Sequence, residues 1–159
     1  MPPNDYCILA LGSPHGDDRV AWQVAENLSA EPALSGRVHK LASPFEIVEH
    51  FENGAAVVVI DVSVSGSLAG MVRRIDGDRL KELPAERRST HGGSLADALR
   101  LAEALGRRPA RLVVLAVEIE PPVPGIDLTT IGRECVRRLE ADVRAELSLA
   151  PPPTRDGCG

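Results

Sequence analysis

The chain has 159 residues, 43% of them hydrophobic and 26% charged, with a formal net charge of −5. That length suits one domain with a core of its own, and the acidic balance argues against a broad electrostatic grip on nucleic acid. No stretch approaches the roughly 18 uninterrupted apolar residues of a membrane span. Only 3% of residues are aromatic, so Ala, Val, Leu and Ile must build the core. The opening Met-Pro-Pro-Asn-Asp-Tyr lacks the basic-then-apolar pattern of a signal peptide. Cys7, Cys135 and Cys158 are an odd count without zinc-like spacing. Free thiols in a reducing cytosol are therefore expected, and with them a cytoplasmic protein.

Cys7 to Leu11 is a short apolar run closed by Gly12-Ser13-Pro14, which predicts a buried strand. A helix follows from Asp18, with Val20, Ala21, Val24, Ala25 and Leu28 on one face. Asp17 and Asp18 suit its start, where free N–H groups and the helix dipole favour negative charge. Val38 to Ala42 reads as a second strand, and Pro44 opens a short helix to about Phe51. After the Asn53-Gly54 turn, Ala55 to Ile60 is apolar on consecutive positions, as in a central strand covered on both faces. Gly70 to Ile75 alternates and carries arginines, which predicts an exposed or edge strand.

Asp76 to Ser89 is charged and reads as a loop. Ser94 and Asp97 form a capping signal for a helix whose inward stripe is Leu95, Ala98, Leu99, Ala102 and Leu105, stopped by Gly106. Leu112 to Val117 is a further buried strand, and Pro121, Pro122, Pro124 and Gly125 make a stiff loop. Thr130 is expected to cap a last helix with Ile131, Cys135, Leu139, Val143 and Leu147 inward. Strands and helices alternate almost throughout. This pattern predicts a three-layer α/β/α sandwich around a mostly parallel, twisted sheet of about five strands. Residues 1–150 are read as one domain and 151–159 as a Pro/Gly-rich disordered tail.

Three distant segments offer an acid or an imidazole beside a strand end or helix start: Asp17 and Asp18, then Asp61 after Val57-Val58-Val59-Ile60, then His91 in Ser89-Thr90-His91-Gly92-Gly93. In an open α/β sheet such ends converge on one crevice. A phosphate loop does not fit the first turn. It lacks Gly-Lys-Ser/Thr, Pro14 removes an N–H, and the two aspartates would repel a phosphate. Nor does the order Gly-Ser-Pro-His-Gly match a Gly-x-Ser-x-Gly nucleophile elbow. Taken singly, Asp17 or Asp18 has a sufficient role as a helix cap, Asp61 as a polar strand end and His91 as a surface loop residue. Together, two carboxylates and an imidazole suit a borderline divalent metal, with positions left open for outside groups. With no cysteine among them, they should hold metal weakly by themselves. His15 is a further candidate ligand or proton carrier. His39 and His50 have no supporting context, and Glu118 and Glu120 are expected to solvate the crevice rim.

From about Cys7 to Leu147 the chain resembles the hydrogenase maturation endopeptidases. The likeness lies in the Gly16-Asp17-Asp18 turn before a helix with Val24-Ala25-Glu26, in Val58-Val59-Ile60-Asp61, and in Gly66 and Gly70 before Met71-Val72. It continues with Ser89 and His91 ahead of a Leu-rich helix, and with Leu128-Thr129 opening the last helix. The resemblance implies an α/β/α sandwich that removes a short C-terminal extension from the large-subunit precursor of a nickel–iron hydrogenase after nickel insertion. It implies Asp18, Asp61 and His91 as the residues that contact nickel and act in cleavage, with nickel arriving on the precursor's cysteines. The sequence departs from the family pattern in one place. Ser13-Pro14-His15 makes a shorter lead-in without the usual Asn, and Arg19 and Ala21 stand where glycines are common. A non-catalytic nickel or precursor chaperone on the same fold is the alternative, and a metal-dependent hydrolase of a small substrate a third reading.

Overall fold

The computed structural model describes residues 6–51, 55–80 and 95–149. Strand β1 (Tyr6–Leu11) leads through a 3-10 turn, Gly16–Arg19, into helix α1 (Val20–Ser29). Strand β2 (Val38–Leu41) is followed by a 3-10 turn, Pro44–Glu46, that runs on as α2 (Ile47–His50). Pro44 sits at the start of that turn, where its missing N–H is harmless, and the Ser43 hydroxyl accepts from Phe45 N–H. Then come β3 (Ala56–Ser63), β4 (Val72–Asp76), α3 (Gly77–Leu80), α4 (Leu95–Ala104), β5 (Arg111–Glu118) and α5 (Thr130–Leu149). The strands form one sheet in the order β2-β1-β3-β5-β4, with only the β4 edge strand antiparallel to its neighbour.

The period-two alternation of the strands divides the core into two layers. Ile8, Ala10, Val58, Ile60 and Val62 pack with Val24 and Leu28 of α1 and Leu139 and Val143 of α5. Leu9, Leu11, Val57 and Val59 pack on the opposite face with Ile47 and Val48 of α2 and Leu95, Ala98 and Leu99 of α4. The three-layer α/β/α sandwich with a mostly parallel five-stranded sheet is thus the observed fold. Because β3 carries helices on both faces, it needs side chains that are apolar without interruption, and Val57 to Ile60 supply them.

Connectivity fixes where a site can form. From β1 the chain passes by α1 to β2 on one side, and from β2 by α2 back past β1 to β3 on the other. The carboxyl ends of β1 and β3 therefore flank the topological switch point, the usual crevice of an open α/β sheet.

Several expectations shift in detail. Strand β3 does not stop at Ile60 but runs to Ser63, so Asp61 is a strand residue paired with Ala116. Leu105 is not inward: α4 ends at Ala104, Gly106 turns the chain at φ 73°, and Leu105 is left 58% exposed. Ile131 is also exposed, because the buried stripe of α5 begins one turn later at Cys135, and Ile131 lies beside the Gly70 turn. Asp76 belongs to β4, and residues 77–80 form a helical turn rather than loop. Gly77 is required there, since a Cβ would lie 2.8 Å from the Leu112 side chain. Residues 81–94, including Ser94 of the expected cap, and the tail 151–159 lie outside the described residues.

One buried acid ties the outer strands to α5. Glu146 is 6% exposed and accepts from Arg111 at 2.8 Å and from the Arg74 guanidinium. That hydrogen bond holds the Arg74 pKa above its ordinary value. Leu139, fully buried between α5 and the sheet, should lose about 2–5 kcal/mol of stability as Leu139→Ala. Leu105→Ala should cost less than about 0.5 kcal/mol. Denaturant unfolding of the two variants checks both values and the reassignment of Leu105.

Candidate functional site

The turn after β1 is closed by its own backbone. Gly12 leaves no room for a side chain, because a Cβ would stand 2.6 Å from the carbonyl oxygen of Asp18. Ser13 N–H donates to that same oxygen at 3.1 Å, and the Ser13 hydroxyl donates to the Asp18 carboxylate. Asp18 N–H in turn donates to the His15 carbonyl at 3.1 Å. Gly16, at φ 51°, donates to the Ile126 carbonyl and packs against Pro122 and Val123. The shortened Ser13-Pro14-His15 lead-in is therefore a compact loop, and its serine holds the acid that follows it. His15 stays exposed and makes no side-chain cap bond.

The two adjacent aspartates have different surroundings. Both are buried, Asp17 at 6% and Asp18 at 5% exposure. Asp17 accepts from Thr129 N–H at 2.8 Å and from the Thr129 hydroxyl at 2.6 Å. The Thr129 hydroxyl also accepts from Gly132 N–H at 3.0 Å, so Thr129, not Thr130, caps α5. Asp17 does act at a helix start, but the helix is the last one rather than its own. Gly132 permits this approach, since a Cβ there would meet Asp17 Oδ1 at 2.3 Å.

Asp61 is 8% exposed and shares the α2/α4 face of β3 with Val57 and Val59. Asp18 follows the end of β1 and Asp61 lies near the end of the neighbouring β3, so the fold puts both at the switch point. His91 and the surrounding Ser89–Gly93 motif lie outside the described residues. Among the described residues no three His, Cys, Asp or Glu side chains are grouped to hold a metal ion. The Asp18–Asp61 pair supplies hard oxygen donors, too few to retain a divalent ion without further ligands.

Other polar candidates fall into place around it. Glu118 was expected to solvate the rim but is 7% exposed, and its carboxylate accepts from Ser65 N–H at 2.6 Å and the Ser65 hydroxyl at 2.9 Å. Its burial was signalled only weakly, by its direct continuation of the Leu112–Val117 run. Glu120 is exposed. Cys135 packs in the core, where burial and then the Asp17 charge push its thiol pKa up, which suits an inert packing residue. Away from the switch point the His39 and His50 rings stack with centroids 4.4 Å apart. Burial first, and the His39 ring second, lower the His50 pKa from 6.5, against the opposing pull of Glu49 and Glu46.

The architecture is shared with solved hydrogenase-maturation peptidases. The hydrogenase maturating endopeptidase HybD from Escherichia coli superposes with a TM-score of 0.77 and 22% identity, over 96% of this chain and 99% of that one. The [NiFe] hydrogenase maturation protease HybD from Thermococcus kodakarensis gives 0.72 and 24%, over 92% and 99%. An endopeptidase from Escherichia coli gives 0.73 and 24%, over 89% and 91%. At these identities the likeness shows the fold. No curated protein sequence matches significantly. The sequence model of the hydrogenase maturation protease family HycI matches residues 24–143, and the chain belongs to that family of peptidases. The matched region contains Asp61 and His91 and begins after the Gly12–Asp18 turn. No helix among the described residues is long and apolar enough to cross a membrane.

Three outcomes follow from these arrangements. Asp17→Ala should lower stability by about 1–2 kcal/mol, because Thr129 loses both acceptors at the start of a 20-residue helix. Gly132→Ala should be destabilising as well, and thermal unfolding measures both. The His50 imidazole is held below its unfolded value, so the unfolded chain binds more protons. The stability this contributes is complete above pH 6.5 and is lost as pH falls through the folded value. Urea unfolding between pH 5 and pH 8 should show that slope in the parent chain and a flatter one in His50→Gln.

Proposed function

We propose that this chain is the endopeptidase that removes the C-terminal extension from the nickel-loaded large-subunit precursor of a [NiFe] hydrogenase. The observation that carries the reading is the burial of Asp18 and Asp61 together at the β1/β3 switch point of a maturation-protease fold. Nickel is taken as part of the substrate, delivered on the precursor. Asp18, Asp61 and His91 would contact it there, three ligands that leave positions for the precursor's own cysteines.

In this reading the chain's residues work by placement. Asp18 is held by Ser13 and by the closed turn, and Asp61 by the parallel ladder to β5, so neither must reorganise when the precursor arrives. Their burial strengthens any charge interaction relative to water. Substrate nickel would serve as a Lewis acid on the scissile carbonyl. A carboxylate would take the proton of the attacking water and pass it to the leaving amine. Asp17 is poorly suited to that role, since both its oxygens are engaged by Thr129.

The test is the mass of a nickel-loaded cognate precursor before and after incubation with the protein. The parent chain should remove the extension, and Asp18→Asn, Asp61→Asn and His91→Ala should each slow processing about 100-fold or more. Undiminished processing by all three would sink the assignment. A stable complex without mass change would favour the non-catalytic chaperone instead.

A further inference from the structure

Two sets of bonds join residue 13 to residue 18, and they serve different ends. The backbone set closes the turn. Ser13 N–H donates to the Asp18 carbonyl at 3.1 Å, and Asp18 N–H donates to the His15 carbonyl at 3.1 Å. Gly12 N–H donates to the Leu41 carbonyl at 3.1 Å, which ties the start of the turn to β2. The side-chain set runs to the carboxylate. The Ser13 hydroxyl donates to Asp18 Oδ2. An ionised carboxylate can only accept, so the hydroxyl proton is committed to it. The hydroxyl oxygen in turn accepts from His15 N–H at 3.4 Å, across Pro14, which has no N–H to compete and stiffens the turn.

The backbone set does not need the hydroxyl. It uses main-chain atoms, which any residue but proline supplies at position 13. What the hydroxyl alone controls is the Asp18 side chain. That carboxylate is buried at the switch point, where hydrogen bonds must stand in for lost water. A bond to Oδ2 also fixes the rotation of the carboxylate about its last torsion, which is broad when nothing holds it. Asp17 makes the contrast. Its two oxygens go to Thr129 of a distant segment and fasten α5, whereas Oδ2 of Asp18 goes to the turn that carries Asp18 itself.

We propose that Ser13 is a positioning residue for precursor cleavage: its hydroxyl, bonded to Oδ2, sets the Asp18 carboxylate in the one orientation in which it meets substrate nickel. The inference rests on the function proposed above. Ser13 touches neither the nickel nor the scissile bond, and its whole effect passes through Asp18. That effect falls on the rate of the chemical step, where a small misplacement is costly. Affinity changes little, because one carboxylate is a small part of the surface that holds a protein substrate.

The experiment is cleavage of the nickel-loaded precursor, read by mass, in a double-mutant cycle of Ser13 and Asp18. Ser13→Ala should lower kcat about tenfold with KM within about twofold. Ser13→Thr keeps the hydroxyl, and its branched side chain suits a position before proline, so kcat should return to within about twofold of the parent. Ser13→Val has the shape of threonine without the hydroxyl and should stay about tenfold down. In the Asp18→Asn background Ser13→Ala should change the rate less than about twofold, whereas a role in general stability would lower it equally in both backgrounds. Parent-like kcat in Ser13→Ala, equal rates for Ser13→Thr and Ser13→Val, or the same loss in both backgrounds would overturn the proposal. Should Ser13→Ala alone not fold, the threonine and valine variants decide. Loss of the fold in both hydroxyl-free variants makes the bond structural and overturns the proposal as well. A slow Asp18→Asn beside a parent-like Ser13→Ala leaves the cleavage reading standing and defeats this one. A parent chain that binds without cutting does the reverse: the same cycle is then read on the dissociation constant, where coupled losses keep Ser13 as the residue that sets Asp18 and additive losses overturn it.

Discussion

The carboxylate of Asp17 joins the two helix starts on which the site end of the molecule depends. It sits in the turn that begins α1 and accepts both the N–H and the hydroxyl of Thr129 at the mouth of α5, residues 112 positions apart in the chain. The bond is charge-assisted and directed at the positive end of a long helix dipole, two reasons for it to be stronger than an ordinary surface contact. It also dictates sequence elsewhere. The first turn of α5 can approach only because residue 132 has no side chain, and the Pro-rich loop between β5 and α5 must fold onto Gly16 to bring Thr129 into reach.

With Asp17 committed in this way, Asp18 is left on the sheet side of the turn, held by Ser13. Asp17 turns to Thr129 and Asp18 to Ser13, adjacent side chains set about a third of a turn apart by the 3-10 winding. Parallel strand order then does the rest. Asp61 reaches the same end of the sheet because β3 is the strand next to β1 across the switch point.

Much of this was legible in the sequence, and the legible part was local. The apolar runs named the strands, the 3.6-residue stripes named the helices, and alternation with arginines identified β4 as an edge. Asp61 stood out as an acid ending an apolar run. The differences have two kinds of cause. One is local: Leu105 continues the helical period, yet a glycine one residue later reverses the chain. The other is nonlocal: Thr130 was the expected cap, and Thr129 takes that place because Asp17, far away in sequence, holds it. Glu118 read as a rim acid because the serine that buries it, Ser65, lies 53 positions away, and the partners of Glu146, Arg74 and Arg111, are likewise 72 and 35 positions distant. The shortened Ser13-Pro14-His15 lead-in was visible as a departure from the family. That its serine would serve the acid of the site was not, because the bond needs the turn to be closed first.

The scarcity of aromatic residues connects these buried acids. With aromatics at 3% of the chain, loops here have few large side chains with which to anchor themselves to the core. Buried carboxylates take that part. Asp17 fastens the loop before α5, Glu118 the loop after β3, and Glu146 the outer strands to the far end of α5. A hydrogen-bonded anchor is directional where an apolar one is not, so it fixes the path of a loop while leaving the loop's own apolar residues uncovered. That is the arrangement at Leu68 and Met71. The same acids leave apolar side chains uncovered at the end of the sheet where β3 exits.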